Sequence, residues 1–340
     1  MTLAAIFGCA GATADPEERA FFRDVQPWGF ILFGRNCQTP DQVRRLVDSL
    51  RATVGRPDAP VLIDQEGGRV ARLGPPHWRR YPAGRAYGDM ATNDPLTRRE
   101  ITRLGARLMA HDLAALGINV DCLPVLDVPG PEGHDVIGDR AYGDEPGEIA
   151  TLGRAAAEGL IAGGVLPVIK HIPGHGRAKS DSHKTLPVVD ATLADLEATD
   201  FAPFRTLSDM PMAMTAHVLY TALDTRRPAT TSRHVVRSII RESIGFDGLL
   251  MSDDLSMKAL GGDFTSRARA SLAAGCDVVL HCNGGMDEMQ SVARGAKALA
   301  GRGARRATAA MARLPKTVEP FDAIEARARF DAAFDGRFAA

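Results

Sequence analysis

The chain has 340 residues, and its 41 Lys and Arg against 42 Asp and Glu give a formal net charge of −1. This balance argues against a general nucleic-acid-binding protein, which would carry a basic excess, and against a protein that anionic lipid holds at a membrane. Hydrophobic residues make up 45% and charged residues 24%, which is typical of a folded globular protein and not of a disordered one.

The cysteine content and the N-terminal sequence indicate in which cellular compartment the protein is found. The five cysteines, at positions 9, 37, 122, 276 and 282, are odd in number and contain no CxxC pair. This usage argues against a disulfide framework or a zinc ribbon and favours a reducing environment. The first twenty residues lack the basic region of a signal peptide, and no apolar run approaches the roughly 18 residues of a membrane span. We therefore expect a cytoplasmic protein without a transmembrane segment.

Eight short apolar runs, rich in Val, Ile, Leu and Phe, recur along the chain and predict β-strands. Most of them are continuously hydrophobic rather than alternating, as is typical of parallel strands that are buried on both faces. The predicted strands cover residues 3–7, 28–33, 60–63, 118–125, 165–169, 212–215, 248–251 and 277–280.

Helical patterns separate these strands. The clearest covers residues 39–54, where Thr39 and Gln42 have the spacing of a capping box and Pro40 occupies the first helical position. Strands that alternate with helices predict an α/β protein, a single-domain (β/α)8 TIM-like barrel over residues 1–340, with a helical tail at about 301–340 packed outside it. The other predicted helices cover residues 100–116, 148–162, 192–207, 232–243 and 268–274.

A doubly wound open sheet is the competing architecture. Its phosphate-binding fingerprint, GxGxxG directly after the first strand, is absent, because residues 8–12 read GCAGA. We therefore favour the barrel.

Polar and ionisable residues directly follow six of the eight predicted strands. In a (β/α)8 barrel the carboxyl ends of the strands meet at one face, where catalytic residues collect. One buried charge at such a position would be explained equally well by a structural ion pair, whereas six converging strand ends indicate an active site. The residues are Asp64, Asp127, Lys170, His171, His217, Asp253, Asp254 and His281.

The segment after the fifth strand predicts a long mobile loop over this face. Residues 170–176 read KHIPGHG and residues 177–183 read RAKSDSH, a stretch that has Pro and two Gly but no helical period. Asp181 lies two residues before His183, and a carboxylate beside an imidazole can orient the ring for proton transfer. The alternative is an ordinary surface loop in which both side chains are merely solvated.

Asp253 and Asp254 are adjacent at the end of the seventh strand. Neighbouring side chains of a strand point to opposite faces, so we expect only one of them to face the barrel mouth. One is then a candidate nucleophile and the other a structural residue.

These motifs resemble glycoside hydrolase family 3, and within it the single-domain bacterial β-N-acetylglucosaminidases of cell-wall recycling. The specific matches are KHIPGHG at 170–176, DSH at 181–183 and SDDLSM at 252–257, and the supporting ones are DQEGGRV at 64–70 and VIGDR at 136–140. The resemblance implies a retaining exo-β-N-acetylglucosaminidase that releases terminal GlcNAc from peptidoglycan fragments. It assigns the nucleophile to Asp253 and the acid/base to His183, oriented by Asp181.

The resemblance also assigns the sugar contacts, to Asp64, Arg72, Arg140, Lys170 and His171. Its expected partner is a saccharide or muropeptide substrate. No cofactor motif appears in the sequence and nothing indicates a homo-oligomer, so we expect no cofactor, no metal and a monomer. A carboxylate and an ammonium group are suitable ligands for sugar hydroxyls, which both donate and accept hydrogen bonds.

Two other functions fit a barrel of this kind. A metal-dependent hydrolase would use the histidines at the strand ends, but no HxH or HExxH motif occurs in the sequence. A non-catalytic sugar-binding protein could retain the same fold. The joint presence of Asp181, His183 and Asp253 argues against that second alternative.

Overall fold

The computed structural model describes residues 1–92 and 94–338. Eight parallel strands close into a barrel in the order β1-β2-β3-β4-β5-β7-β9-β10, and the short strands β6 (Val188–Val189) and β8 (Leu219–Tyr220) pair with each other outside it. The predicted (β/α)8 barrel is therefore confirmed, and each predicted strand contributes to it. The barrel strands are β1 (Leu3–Phe7), β2 (Pro27–Leu32), β3 (Val61–Ile63), β4 (Val120–Asp121), β5 (Leu166–Ile172), β7 (Met212–Thr215), β9 (Leu249–Asp254) and β10 (Val278–His281).

The strands are buried on both faces, as their continuous hydrophobicity predicts. All six residues of β2 and all seven of β5 are buried. The fourth strand, Val120–Asp121, is shorter than the predicted range 118–125, which also contains Pro124, a residue without an N–H for the ladder. Pairing resumes only as an isolated bridge between Val125 and Lys170.

Helices surround the barrel, and a π-helix (Val235–Ser243) stands among them. Within the described residues no helix combines the length and the apolar character that crossing a membrane requires. The α-helices are α1 (Pro16–Val25), α2 (Pro40–Val54), α3 (Gly84–Gly88), α4 (Pro95–Ala114), α5 (Pro146–Ala162), α6 (Leu193–Ala198), α7 (Ala202–Thr206), α8 (Phe264–Ala274), α9 (Met286–Gly295), α10 (Gly301–Met311) and α11 (Ala323–Ala333).

Four helix predictions need correction. The helix predicted over 268–274 begins at Phe264, because the Asp263 side chain caps it by accepting from the Ser266 N–H, and the one predicted over 232–243 is the π-helix Val235–Ser243.

Helix α4 begins at Pro95 and not at residue 100, because the Asp94 side chain caps it by accepting from the backbone N–H groups of Leu96 and Thr97. The helix predicted over 192–207 is divided into α6 and α7. The break contains Asp200, a buried carboxylate whose Oδ2 accepts a hydrogen bond from Arg177 Nε at 2.6 Å.

The C-terminal tail packs on the outside of the barrel through α11. The Phe330 ring lies 6.1 Å from that of Tyr81 and 6.3 Å from that of Tyr87, and Arg327 stacks on the Tyr81 ring. The single-domain boundary of 1–340 stays a prediction, and its residues 339–340 lie outside the described part.

Candidate active site

A cavity of about 330 Å³ opens at the carboxyl ends of the barrel strands. Larger clefts lie elsewhere, and the one of about 570 Å³ at Pro211 and Gly248 is at the opposite, N-terminal end of β7 and β9. The strand-end cavity is the candidate site because all eight residues with predicted roles border it. They are Asp64, Arg72, Arg140, Lys170, His171, Asp181, His183 and Asp253.

One wall of this cavity is a buried charge cluster, made by Asp64, Glu66, Arg72, Arg140 and Lys170. Lys170 Nζ lies 2.8 Å from Asp64 Oδ1 and 2.6 Å from Glu66 Oε1. Arg140 makes a bidentate pair with Glu66, with both N···O distances at 2.8 Å, and Arg72 Nη2 lies 3.1 Å from Asp64 Oδ2. The cluster joins the end of β3 to that of β5, so the strand ends fix its geometry.

These contacts keep the cluster ionised. Burial alone would raise the pKa of Asp64, but Lys170 and Arg72 outweigh it and hold that pKa below its ordinary value. Burial opposes ionisation of Glu66 in the same way, and Arg140 and Lys170 lower its pKa to about 2. Burial would lower the pKa of Lys170, but the two carboxylates raise it above its ordinary value. The wall therefore offers charged donors and acceptors to a polar ligand.

His171 is held by a carboxylate behind it. Asp127 Oδ2 lies 2.7 Å from His171 Nδ1, and Oδ1 accepts hydrogen bonds from the backbone N–H groups of His171 and His175 at 3.1 and 2.6 Å. Burial would raise the pKa of Asp127, but His171 lowers it to about 2. The anion fixes a proton on Nδ1, which leaves Nε2 as the ring nitrogen available to a ligand.

Both aspartates at the end of β9 border the cavity, so the expectation that only one faces the mouth is wrong. The strand ends at Asp254 and the chain turns there, which brings both carboxylates to the rim. Their partners differ: Asp254 Oδ1 accepts from the backbone N–H groups of Ser256 and Cys282 at 3.0 and 3.1 Å, whereas Asp253 Oδ1 accepts from the Asp254 N–H at 2.8 Å. Asp254 therefore holds the turn, whereas in the part of the chain that the structure describes Asp253 Oδ2 accepts no hydrogen bond.

Histidines stabilise the anionic form of Asp253. Burial would raise its pKa, but His171 and His217 hold that pKa below the ordinary value. His217 is buried, with Nδ1 2.7 Å from Thr230 Oγ1 and Nε2 donating to the Asp254 carbonyl oxygen at 3.0 Å. At neutral pH Asp253 is thus an ionised carboxylate in a polar cavity, which is the form a nucleophile requires.

Asp181 and His183 form a hydrogen-bonded pair on the loop after β5. Asp181 Oδ1 accepts from His183 Nδ1 at 2.8 Å and from the His183 backbone N–H at 2.9 Å. The His183 side chain is 65% exposed and that of Asp181 16%. Burial would raise the pKa of Asp181, but the hydrogen bonds from His183 lower it. The anion orients the ring so that Nε2 is free for proton transfer.

Sequence reasoning gave no binding role to Glu66, Asp127 or His217. A signal existed, since all three lie at or just after the end of a predicted strand, but the sequence could not tell which charged partners they meet. Over residues 1–92 and 94–338, no three His, Cys, Asp or Glu side chains are grouped as ligands of a metal ion.

The buried His175 predicts a pH dependence of stability. Burial lowers its pKa from 6.5 to about 4. Between these values the unfolded chain binds a proton that the folded chain does not, so stability is complete above pH 6.5 and falls as the pH decreases towards 4. We expect His175 to contribute a decrease of about 3 kcal/mol in the free energy of unfolding. Urea denaturation at several pH values measures it, and an equal slope in His175→Gln would contradict it.

A family model describing the glycosyl hydrolase family 3 N-terminal domain matches residues 9–316. The chain belongs to glycoside hydrolase family 3. This family 3 chain is 38% identical over 278 residues to the β-hexosaminidase of Bordetella avium (strain 197N), covering 81% of the chain and 79% of the relative. It is 40% identical over 282 residues to that of Methylococcus capsulatus (strain ATCC 33009 / NCIMB 11132 / Bath), covering 82% of each.

Solved structures agree with this family 3 assignment. Native NagZ from Neisseria gonorrhoeae superposes with a TM-score of 0.84 at 32% identity, covering 99% of this chain and 97% of NagZ. NagZ from that organism in complex with N-trifluoroacetyl-D-glucosamine gives a TM-score of 0.84 at 34% identity, covering 97% and 95%. A family 3 β-N-acetylglucosaminidase from Paenibacillus gives 0.84 at 28% identity, covering 97% and 67%. The predicted family and the predicted enzyme class, a glycoside hydrolase, are confirmed.

Proposed function

We propose that this family 3 glycoside hydrolase is a retaining exo-β-N-acetylglucosaminidase. Its substrates are peptidoglycan fragments, namely GlcNAc-1,6-anhydroMurNAc and its peptides, which it cleaves in the cytoplasm during cell-wall recycling. The names of the relatives support the sugar, because they are β-hexosaminidases and NagZ. The observation that carries the mechanism is that Asp253 and the Asp181–His183 pair border one cavity with the buried charge cluster.

The first step forms a glycosyl-enzyme. A carboxylate oxygen of Asp253 attacks C1 of GlcNAc, while protonated His183 gives its Nε2 proton to the glycosidic oxygen. The C1–O bond breaks, and the aglycone leaves with that proton. Asp181 stabilises the imidazolium before transfer through the 2.8 Å contact with Nδ1.

The second step releases the sugar. Neutral His183 accepts a proton at Nε2 from a water molecule, whose oxygen attacks C1 and frees the Asp253 carboxylate. Two displacements at C1 retain the β configuration. The acid/base is therefore regenerated in its protonated form with each turnover.

The buried charge cluster supplies sugar recognition in this proposal. Asp64 accepts hydrogen bonds from ring hydroxyls, Lys170 donates to them, and Arg72, Arg140 and His171 surround the saccharide and its N-acetyl group. A volume of about 330 Å³ is at the lower end of ligand sites and suits one sugar ring, consistent with removal of a terminal residue.

Leaving-group dependence tests the acid/base assignment. We expect the enzyme to hydrolyse 4-nitrophenyl β-N-acetylglucosaminide far better than the matching β-glucoside, and to do so in EDTA. His183→Ala should reduce kcat/KM by roughly 10²–10⁴-fold on an unactivated disaccharide, and by much less on the nitrophenyl substrate, because nitrophenolate departs without a proton. Steady-state kinetics on both substrates measures the difference.

The same assay addresses the two alternatives. Activity lost in EDTA and restored by a divalent metal would favour a metal-dependent hydrolase. Absence of turnover on both sugars, with saturable binding of GlcNAc by calorimetry, would favour a sugar-binding barrel. Either result would overturn the proposal.

A further inference from the structure

Ser182 lies between the two residues of the proposed acid/base pair and is more deeply buried than either of them. Its residue surface is only 2% exposed, although the side chain of His183 next to it is 65% exposed. Ser182 Oγ lies 3.1 Å from His175 Nε2, and the Ser182 carbonyl oxygen accepts a hydrogen bond from the Ala259 N–H at 3.2 Å. The loop is thus fastened at the residue between Asp181 and His183.

The other partner, His175, is itself fixed. It is 3% exposed, and its backbone N–H donates to Asp127 Oδ1 at 2.6 Å. Its ring packs edge-on against that of His171, with 5.8 Å between centroids. Within the described residues its Nδ1 has no hydrogen-bond partner, so the contact with Ser182 is the one hydrogen bond of this ring.

Ser182 also connects the loop to the segment after the candidate nucleophile. Ala259 lies six residues beyond Asp253, and Met257 of the same segment borders the cavity. Ser182 therefore connects the acid/base loop both to His175, which packs against His171, and to the segment that follows β9. Removing the single hydrogen-bond partner of a buried polar side chain costs more free energy than removing the partner of an exposed one, because water cannot replace it as easily.

We propose that His175 is a positioning residue that holds the Asp181–His183 pair over the cavity through its hydrogen bond to Ser182. This inference rests on the proposed function of that pair. His175 and Ser182 contribute no proton and no nucleophile to the reaction. Loss of either side chain leaves the internal Asp181–His183 contact and the backbone bond from Ala259 intact, but it removes the side-chain restraint on where the pair stands relative to C1. Small misplacements of a reacting group cost large factors in rate.

The experiment compares Ser182→Ala with Ser180→Ala. Ser180 belongs to the same loop, and among the described residues its hydroxyl has one hydrogen-bond partner, the exposed Thr185 Oγ1 at 3.3 Å. With an unactivated disaccharide, Ser182→Ala should reduce kcat/KM at least about tenfold, whereas Ser180→Ala should stay within about twofold of the wild type. With 2,4-dinitrophenyl β-N-acetylglucosaminide, whose departure needs no proton, both variants should stay within about threefold.

Two further variants separate positioning from general damage to the fold. His175→Leu should match Ser182→Ala, and the double variant should lose no more than the worse single one, because both remove the same contact. His175→Gln places an amide where Nε2 stands and should retain most of the disaccharide activity. Two results would overturn the inference: a reduction of kcat/KM in Ser182→Ala that is equal on both glycosides, or a double variant whose fold-reduction equals the product of the two single ones.

His183→Ala, assayed in parallel, distinguishes a failure of the acid/base assignment from a failure of the positioning role. If His183→Ala reduces kcat/KM equally on both substrates, the acid/base assignment is wrong, and the positioning role that depends on it is wrong as well. If His183→Ala is selective for the disaccharide and Ser182→Ala is not, the acid/base assignment stands and only the positioning role is wrong.

Discussion

Asp253→Ala should abolish turnover, with a reduction in kcat of at least about 10⁴-fold on 4-nitrophenyl β-N-acetylglucosaminide. The carboxylate forms the covalent bond to C1 in the proposed mechanism, and alanine has no group that can form it. Sodium azide should restore part of the rate, because the small anion enters the space left by the carboxylate and attacks C1 as the nitrophenolate departs. The product is then the α-glycosyl azide, which NMR identifies by its anomeric coupling.

Asp254→Asn is the matched control for this variant. The amide oxygen can still accept the hydrogen bonds from the Ser256 and Cys282 N–H groups. We expect a loss of less than about tenfold and no azide product, because the nucleophile is intact. A dead Asp254→Asn beside an active Asp253→Ala would move the nucleophile to the neighbouring residue.

Glu66→Gln should lower the free energy of unfolding by about 3–5 kcal/mol. The Glu66 side chain is 4% exposed and pairs with both Arg140 and Lys170. Its neutralisation leaves two cations, whose side chains are 11% and 2% exposed, with one fewer counter-charge, and their low exposure limits how far water can compensate. Urea denaturation at pH 7, followed by far-UV circular dichroism, measures the change.

Glu158→Gln is the control for the role of burial. Glu158 lies 2.8 Å from Arg99, but the two side chains are 36% and 45% exposed. Solvent screens this pair, so its loss should cost less than about 1 kcal/mol. Equal costs in the two variants would show that the buried charge cluster is not a stabilising feature of the fold.

The barrel could be predicted from the sequence because its strands leave a strong local signal. The predicted ranges 3–7 and 212–215 coincide with β1 and β7, since each is an unbroken apolar run that ends at a polar residue or a Gly. The position of the site follows from the same signal: Asp64, Lys170 and Asp253 gather around one cavity because parallel strands of a barrel end at one face. Their individual roles came from the family resemblance and stay predictions.

The pairing of charges could not be predicted, because the partners are far apart in the chain. Lys170 meets Asp64 across 106 residues, and a single sequence does not show that Glu66 shares the same ammonium group. The divided helix has a similar cause: local periodicity favours one helix over 192–207, but Asp200 is buried against Arg177 of the loop after β5. Tertiary contact overrides local propensity there. The early start of α4 was available in the sequence, as Asp94 directly before Pro95.

The pairing of Asp181 with His183 is entirely local. A single carboxylate oxygen receives both the backbone N–H and the ring nitrogen of the residue two positions later, so a turn of three residues sets the geometry of the pair. The barrel decides only where this unit stands. If the loop moves relative to the substrate, the oriented imidazole therefore moves with it and keeps its hydrogen bond to Asp181. Grafting residues 181–183 onto a loop of another protein should likewise transfer an oriented imidazole without redesign of the host scaffold.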